Sequence, residues 1–122
     1  MHILLVDDDA MMTQLLSHKL SSQGYFVETA SSGWDALHNL SEKRYDLLIT
    51  DLMMPDLSGL TLISLLKNYV FNKMPVIIIT SLDQPSLVLS GIGMGVVDFF
   101  TKPINVDKLI DRIDSLQVNK PN

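Results

Sequence analysis

Carboxylates recur in this chain where apolar runs stop. Asp7, Asp8 and Asp9 follow the run at 3–6, and Asp51 follows the run at 46–50. Thr80 and Ser81 close a third run at 76–79, and Lys102, followed by Pro103, comes just after a fourth at 97–100. Three adjacent carboxylates with a fourth brought alongside repel one another unless solvent or a cation balances them. Hard oxygen donors of this kind suit Mg²⁺, with Mn²⁺ as the alternative, and Mg²⁺ is commonly held by one or two carboxylates, retained waters and phosphate oxygens. A carboxylate can also attack phosphorus and carry an acyl phosphate. Asp51 is the natural nucleophile, being alone at its run's end while Asp7 and Asp8 hold the ion. Charge on a phosphoryl group in transfer must be met by cations and donors, and Lys102 and Thr80 supply them.

Residues so far apart in sequence meet only if the runs they follow lie side by side and point the same way. An open parallel α/β sheet does this, gathering ligands in the crevice beyond the carboxyl ends of its strands. Residues 3–6, 26–29, 46–50, 76–79 and 97–100 are short and rich in Val, Ile, Leu and Phe, and read as strands. The first, third and fourth are apolar without alternation, as strands covered on both faces are. Helices are predicted between them. Residues 10–22 place Met12, Leu15, Leu16, Lys19 and Leu20 on helical spacing, with Gly24 as the stop. Residues 33–43 follow Ser32 and Asp35, a pair that fits a capping box. Further helices are predicted at 59–68 and at 106–117, the latter behind Asn105 as N-cap. The weakest is the fourth, near 84–94, where Asp83 and Pro85 support a start but Gly91, Gly93 and Gly95 each cost about 1 kcal/mol relative to Ala inside a helix. Five βα units with right-handed crossovers predict a doubly wound three-layer sandwich.

The bulk numbers narrow the function classes. With 122 residues, 47% of them apolar, the chain suits one packed domain. A net charge of −5 and only nine Lys and Arg argue against direct nucleic-acid binding. The absence of cysteine excludes disulfides and Cys-based metal or redox chemistry. No signal peptide and no apolar run approaching the ~20 residues of a membrane span is evident, so the expectation is a soluble cytoplasmic protein without membrane contact.

The ordered set of Asp7 and Asp8, Asp51 within the segment 51–59, Thr80 and Lys102 before Pro103 resembles the receiver domain of two-component response regulators, from Met1 to about Leu116. The resemblance implies a flavodoxin-like (βα)5 fold, with a five-stranded parallel sheet in the order 2-1-3-4-5. It sets the receiver at 1–117, with 118–122 a polar tail or linker stump. It makes Asp51 the phosphoacceptor, with Asp8 and Asp51 binding Mg²⁺ directly, Asp7 mostly through water, and the Met53 carbonyl as a further ligand. The spacing from Pro75 usual in that family points to Thr80, rather than Ser81, as the active hydroxyl. The turn from Pro55 to Gly59 shapes the loop after the acceptor. Thr80 and Phe99 form the implied switch, which alters the face of the fourth predicted helix, fifth strand and fifth predicted helix. The implied function is a phosphoacceptor served by a sensor histidine kinase or histidine phosphotransfer protein. It is not an enzyme beyond Mg²⁺-dependent self-phosphorylation and self-dephosphorylation. Its output runs through a downstream protein partner or effector domain, or a homodimer.

Three departures from the family pattern stand out. Phe99 occupies a position where Tyr is frequent. Val96 follows Gly95 where a smaller residue is usual, and its bulk is expected to narrow the site. Met53 and Leu82 are apolar at positions that influence dephosphorylation, so a long-lived phosphoryl state is expected. Bland readings stand beside these. Asp9 reads as a solvated acid or helix cap, Lys102 as a solvated lysine, Phe99 as core, and His2, His18 and His38 as scattered surface or boundary residues. Competing functions are a small phosphatase with an Asp nucleophile, a flavin module on the same strand order, and a receiver that signals by protein contact without phosphorylation. The first lacks room for a cap and has Ala10 and Met11 where such a loop favours Gly and Thr. In the second, Asp7, Asp8 and Asp9 would repel a flavin phosphate.

Overall fold

The computed structural model describes residues 1–67, 74–81 and 95–118. The helix predicted near 84–94, Leu82 and the last residues of the tail lie outside them. The five runs form one parallel sheet in the order β2-β1-β3-β4-β5, with β1 at His2–Val6, β2 at Phe26–Ala30, β3 at Leu47–Asp51, β4 at Val76–Thr80 and β5 at Val96–Thr101. Strand β3 starts one residue later than predicted and takes in Asp51, so the acceptor candidate is the last residue of a fully buried strand.

Four helices are seen among the described residues: α1 at Ala10–Ser22, α2 at Gly33–Glu42, α3 at Gly59–Leu65 and α4 at Val106–Val118, the last being the fifth of the predicted set. Each start carries its own signal. Asp9, Ser32, Ser58 and Asn105 accept from the N–H of Met12, Asp35, Thr61 and Lys108 at 3.1–3.2 Å, satisfying donors that the first helical turn leaves open. Asp9 is thus a cap, as its bland reading had it. Gly24, at φ +94°, ends α1 in the left-handed region that favours glycine. Leu15 departs from expectation: it is 55% exposed. The buried stripe of α1 is Thr13, Leu16 and Leu20, and the Thr13 hydroxyl is satisfied by the Ala10 carbonyl at 3.0 Å.

Alternation along the strands divides the interior in two. Leu4, Val6, Leu48 and Ile78 face α2 and α3, packing with Ala36, Leu40, Leu62, Ile63 and Leu66. Ile3, Leu5, Ile49, Ile77 and Ile79 face α1 and α4, packing with Leu16, Leu20, Leu109 and Ile113. Central strands β1, β3 and β4 are therefore buried on both sides, which explains their unbroken apolar sequence. A register shift beside Val76 and Ile77 leaves Val97 as an extra residue in β5. Arg112 of α4 grips this irregularity, donating to the Val97 carbonyl at 3.0 Å and pairing with Asp98 at 3.0 Å.

Candidate functional site

The ends of β1 and β3 are neighbours, with Val6 opposite Thr50, so the next residues of each, Asp7 and Asp51, emerge side by side. Both carboxylates are buried, with Asp7 1% and Asp51 4% exposed, while Asp8 is open to solvent. One oxygen from each of Asp7, Asp8 and Asp51 falls within 4.8 Å of the others. Lys102, at the end of β5, reaches between two of them. Its Nζ lies 2.9 Å from Asp7 Oδ2 and donates to Asp51 Oδ2 at 3.0 Å. The other oxygen of Asp51 accepts the Met53 N–H at 3.2 Å. The acceptor candidate is thus held on one side by a cation and on the other by the backbone of the following loop.

The electrostatics are those of a site short of positive charge. Burial pushes the Asp7 carboxyl above its usual range, and neighbouring Asp51 adds to the rise. The Asp9 N–H and the Lys102 ammonium offset only part of it. Burial pulls Lys102 down, but its hydrogen bonds and charge interactions with Asp7 and Asp51 outweigh that and hold it above its ordinary value. Asp7 Oδ2 is buried, and the Lys102 ammonium 2.9 Å away, shared with Asp51, is its partner. Three carboxylates with oxygens within 4.8 Å of one another, served by a single ammonium, fit a hard divalent cation such as Mg²⁺ or Mn²⁺.

Thr80 ends β4 at the same edge, buried and paired with Thr101, and its carbonyl accepts the Lys102 N–H at 2.7 Å. The Lys102–Pro103 peptide that follows is cis. Phe99 lies opposite Ile78, half-buried against the α2 and α3 core. Since Ile78 and Thr80 share a face, Phe99 and Thr80 lie on the same face of the sheet. Met53 turns its side chain outward, 60% exposed. The expectation for Val96 is corrected: it pairs with Val76 at the opening of the two strands, the opposite end of the sheet from Asp51 and Thr80. It packs against core and has no access to the site. The residue that directly follows Thr80 is the exposed Ser81.

Two features of the 52–58 loop escape a reading of the sequence. Gly59 is in contact with the end of β3: a Cβ there would stand 2.1 Å from the Asp51 carbonyl oxygen, and its N–H donates to Leu52 O at 2.9 Å. Asp56 reaches across to α2, where its carboxylate accepts the N–H of Gly33 at 3.2 Å and of Trp34 at 3.0 Å.

A family profile described as response regulator receiver domain matches residues 3–114. The transcriptional regulatory protein GlrR of Escherichia coli (strain K12) is 40% identical over 113 residues, covering 93% of this chain and 25% of that protein. Response regulator MprA of Mycobacterium leprae (strain TN) is 36% identical over 116 residues, covering 95% of this chain and 50% of that protein. The chain therefore spans between a quarter and a half of the length of these curated relatives. Among solved structures, the Francisella response regulator 1452 receiver domain superposes with a TM-score of 0.88 at 34% identity, covering 94% of each chain. Chemotaxis response regulator CheY4 of Vibrio cholerae gives 0.86 at 28% identity, covering 94% of this chain and 97% of that one.

Proposed function

The chain belongs to the response regulator receiver domain family, and from that premise we propose that it accepts a phosphoryl group onto Asp51, in a reaction that requires Mg²⁺. The donor is a phosphohistidine on a sensor kinase or histidine phosphotransfer protein. The observation that carries this reading is Lys102, whose ammonium stands 2.9 Å from Asp7 and 3.0 Å from Asp51, beside the exposed carboxylate of Asp8. Nucleophile, counter-charge and metal donors share one strand-end crevice.

Asp7, Asp8 and Asp51, with the Met53 carbonyl, would hold the ion. Bound there, Mg²⁺ supplies the positive charge that lets a carboxylate and a phosphoryl group approach. The Met53 N–H and Lys102 fix the Asp51 carboxylate by one oxygen each, so that little reorientation is needed before attack. A carboxylate oxygen forms the new bond to phosphorus as the phosphorus–nitrogen bond breaks, and the electron pair leaves with the imidazole. Lys102 stays beside Asp51 as a fixed cation while charge shifts onto the phosphoryl oxygens. Water attacking the same phosphorus later releases inorganic phosphate and restores the acid. Thr80 and Phe99 are the switch that senses the phosphoryl group. The output is altered binding to a downstream protein, an effector domain or a second copy of the chain.

Incubation with acetyl phosphate and Mg²⁺, followed by intact mass spectrometry, tests the reading. One added phosphoryl mass on the parent is expected, absent from Asp51→Asn and absent when the metal is chelated beforehand. No adduct under any donor, phosphorylated kinase included, would overturn it.

A further inference from the structure

The first turn of α2 receives its hydrogen bonds from two places. Ser32 meets the Asp35 N–H at 3.1 Å through its side chain and the Ala36 N–H at 3.0 Å through its carbonyl. The remaining donors, Gly33 and Trp34, are met by Asp56, which lies 22–23 residues away in the loop after the acceptor. Water would satisfy them at an exposed helix start. Their capture by a distant carboxylate therefore fixes something else, namely the loop. The seat is apolar as well as polar. A Cβ on Gly33 would stand 2.5 Å from Leu57 Cβ, so only glycine admits the loop this close, and Leu57 packs on to the core beneath. The Trp34 N–H is the largest influence holding the Asp56 carboxyl below its usual range, with burial opposing it.

The same loop touches the chemistry. Its Met53 N–H is the donor to Asp51 Oδ1, and its far end is closed by Gly59 against the Asp51 carbonyl. We propose that Asp56 is a positioning residue for the acceptor: by tying residues 52–58 to the N-terminus of α2, it holds the Met53 backbone against Asp51. The inference rests on the phosphoacceptor reading above. It adds α2, which carries none of Asp7, Asp8 and Asp51, as the support on which that loop is seated. Trp34, 59% exposed on the seat itself, is the built-in reporter of it.

Asp56→Ala and Asp56→Asn, the latter keeping one acceptor oxygen, are compared with the parent in three measurements: thermal melting, Mg²⁺ affinity by calorimetry, and the rate of phosphoryl uptake from acetyl phosphate at saturating Mg²⁺. The uptake rate of Asp56→Ala is expected to fall about tenfold, the lower end of what outer supports of a metal site cost. Melting should remain cooperative, and Asp56→Asn should recover part of the rate. Unchanged uptake and unchanged Mg²⁺ affinity in Asp56→Ala would overturn the inference, as would a loss that vanishes when the assay is cooled further below the melting transition. If the parent takes no phosphoryl group, the phosphoacceptor reading fails on its own. The seat is then judged by Mg²⁺ alone: a change in Trp34 emission that Asp56→Ala abolishes supports it, and one that Asp56→Ala leaves intact overturns it.

Discussion

Lys102 serves two carboxylates with one ammonium, so its removal leaves both Asp7 and Asp51 buried without a counter-charge. Lys102→Ala is expected to lose about 2 kcal/mol in urea melts without metal, below the usual cost of breaking a buried pair because Asp7 can take up a proton. Mg²⁺ should narrow that gap, yet phosphoryl uptake should stay slower by about a hundredfold, the cost of losing one transition-state charge partner. Glu28 lies on the edge strand β2. Hydrogen bonds from Lys43 and the Tyr45 hydroxyl hold its carboxyl below the ordinary value of 4.5, with burial opposing them. A depressed carboxyl contributes stability that is present above the ordinary value and is lost as pH falls through the depressed one. Glu28→Gln should therefore have a lower urea midpoint than the parent at pH 7, and the difference should close as the pH drops below 4.5. Of the residues in the site, Asp7, Asp8, Asp51 and Lys102 are legible in the sequence because each follows an apolar run and brings its own chemistry. Asp56 is not, since an acid after Pro55 looks like any solvated turn residue and its partners lie 22–23 positions away.

Elements explain why some side chains land where they do and others do not. The starts of α1, α2, α3 and α4 are readable because each cap acts on a donor three residues on. Register between strands has no such local sign. Val96 therefore reads as a neighbour of the site from its place after Gly95, although pairing with Val76 puts it at the other end of the sheet. Leu15 misleads for a related reason: helical spacing alone does not say where the buried stripe of α1 ends, and Thr13, with its hydroxyl satisfied, takes an inward place. The contact between β3 and the start of α3 is equally silent in the sequence. Gly59→Ala would place a methyl group 2.1 Å from a backbone oxygen that cannot rotate away. The expected cost is about 2 kcal/mol in urea melts, within the range for overpacked sites, together with slower uptake at Asp51 as the loop is pushed outward.

On the scale of the whole molecule, two apolar interiors supply the stability, each fully buried Leu or Ile contributing about 1.5–3 kcal/mol, while the acidic edge works against it. A cation bound at that edge is therefore expected to stabilise the fold. Thermal melts should rise with Mg²⁺, by an amount equivalent to about 2.7 kcal/mol at a hundredfold excess over Kd, and Asp51→Asn should show a smaller rise. The layered order was legible because β1, β3 and β4 carry unbroken apolar runs, and these runs are buried throughout, whereas β2 and β5 are only partly buried. Those two interiors are separated by the sheet and meet chiefly through its backbone. Asp56, Gly33 and Leu57 belong to the α2 and α3 side, whereas α1 and α4 rest on the other. A lineage can therefore rewrite the outward faces of α1 and α4 without disturbing the contacts of the 52–58 loop with α2, and chimaeras exchanging those two helices between receivers should inherit new surfaces while keeping the chemistry of their host.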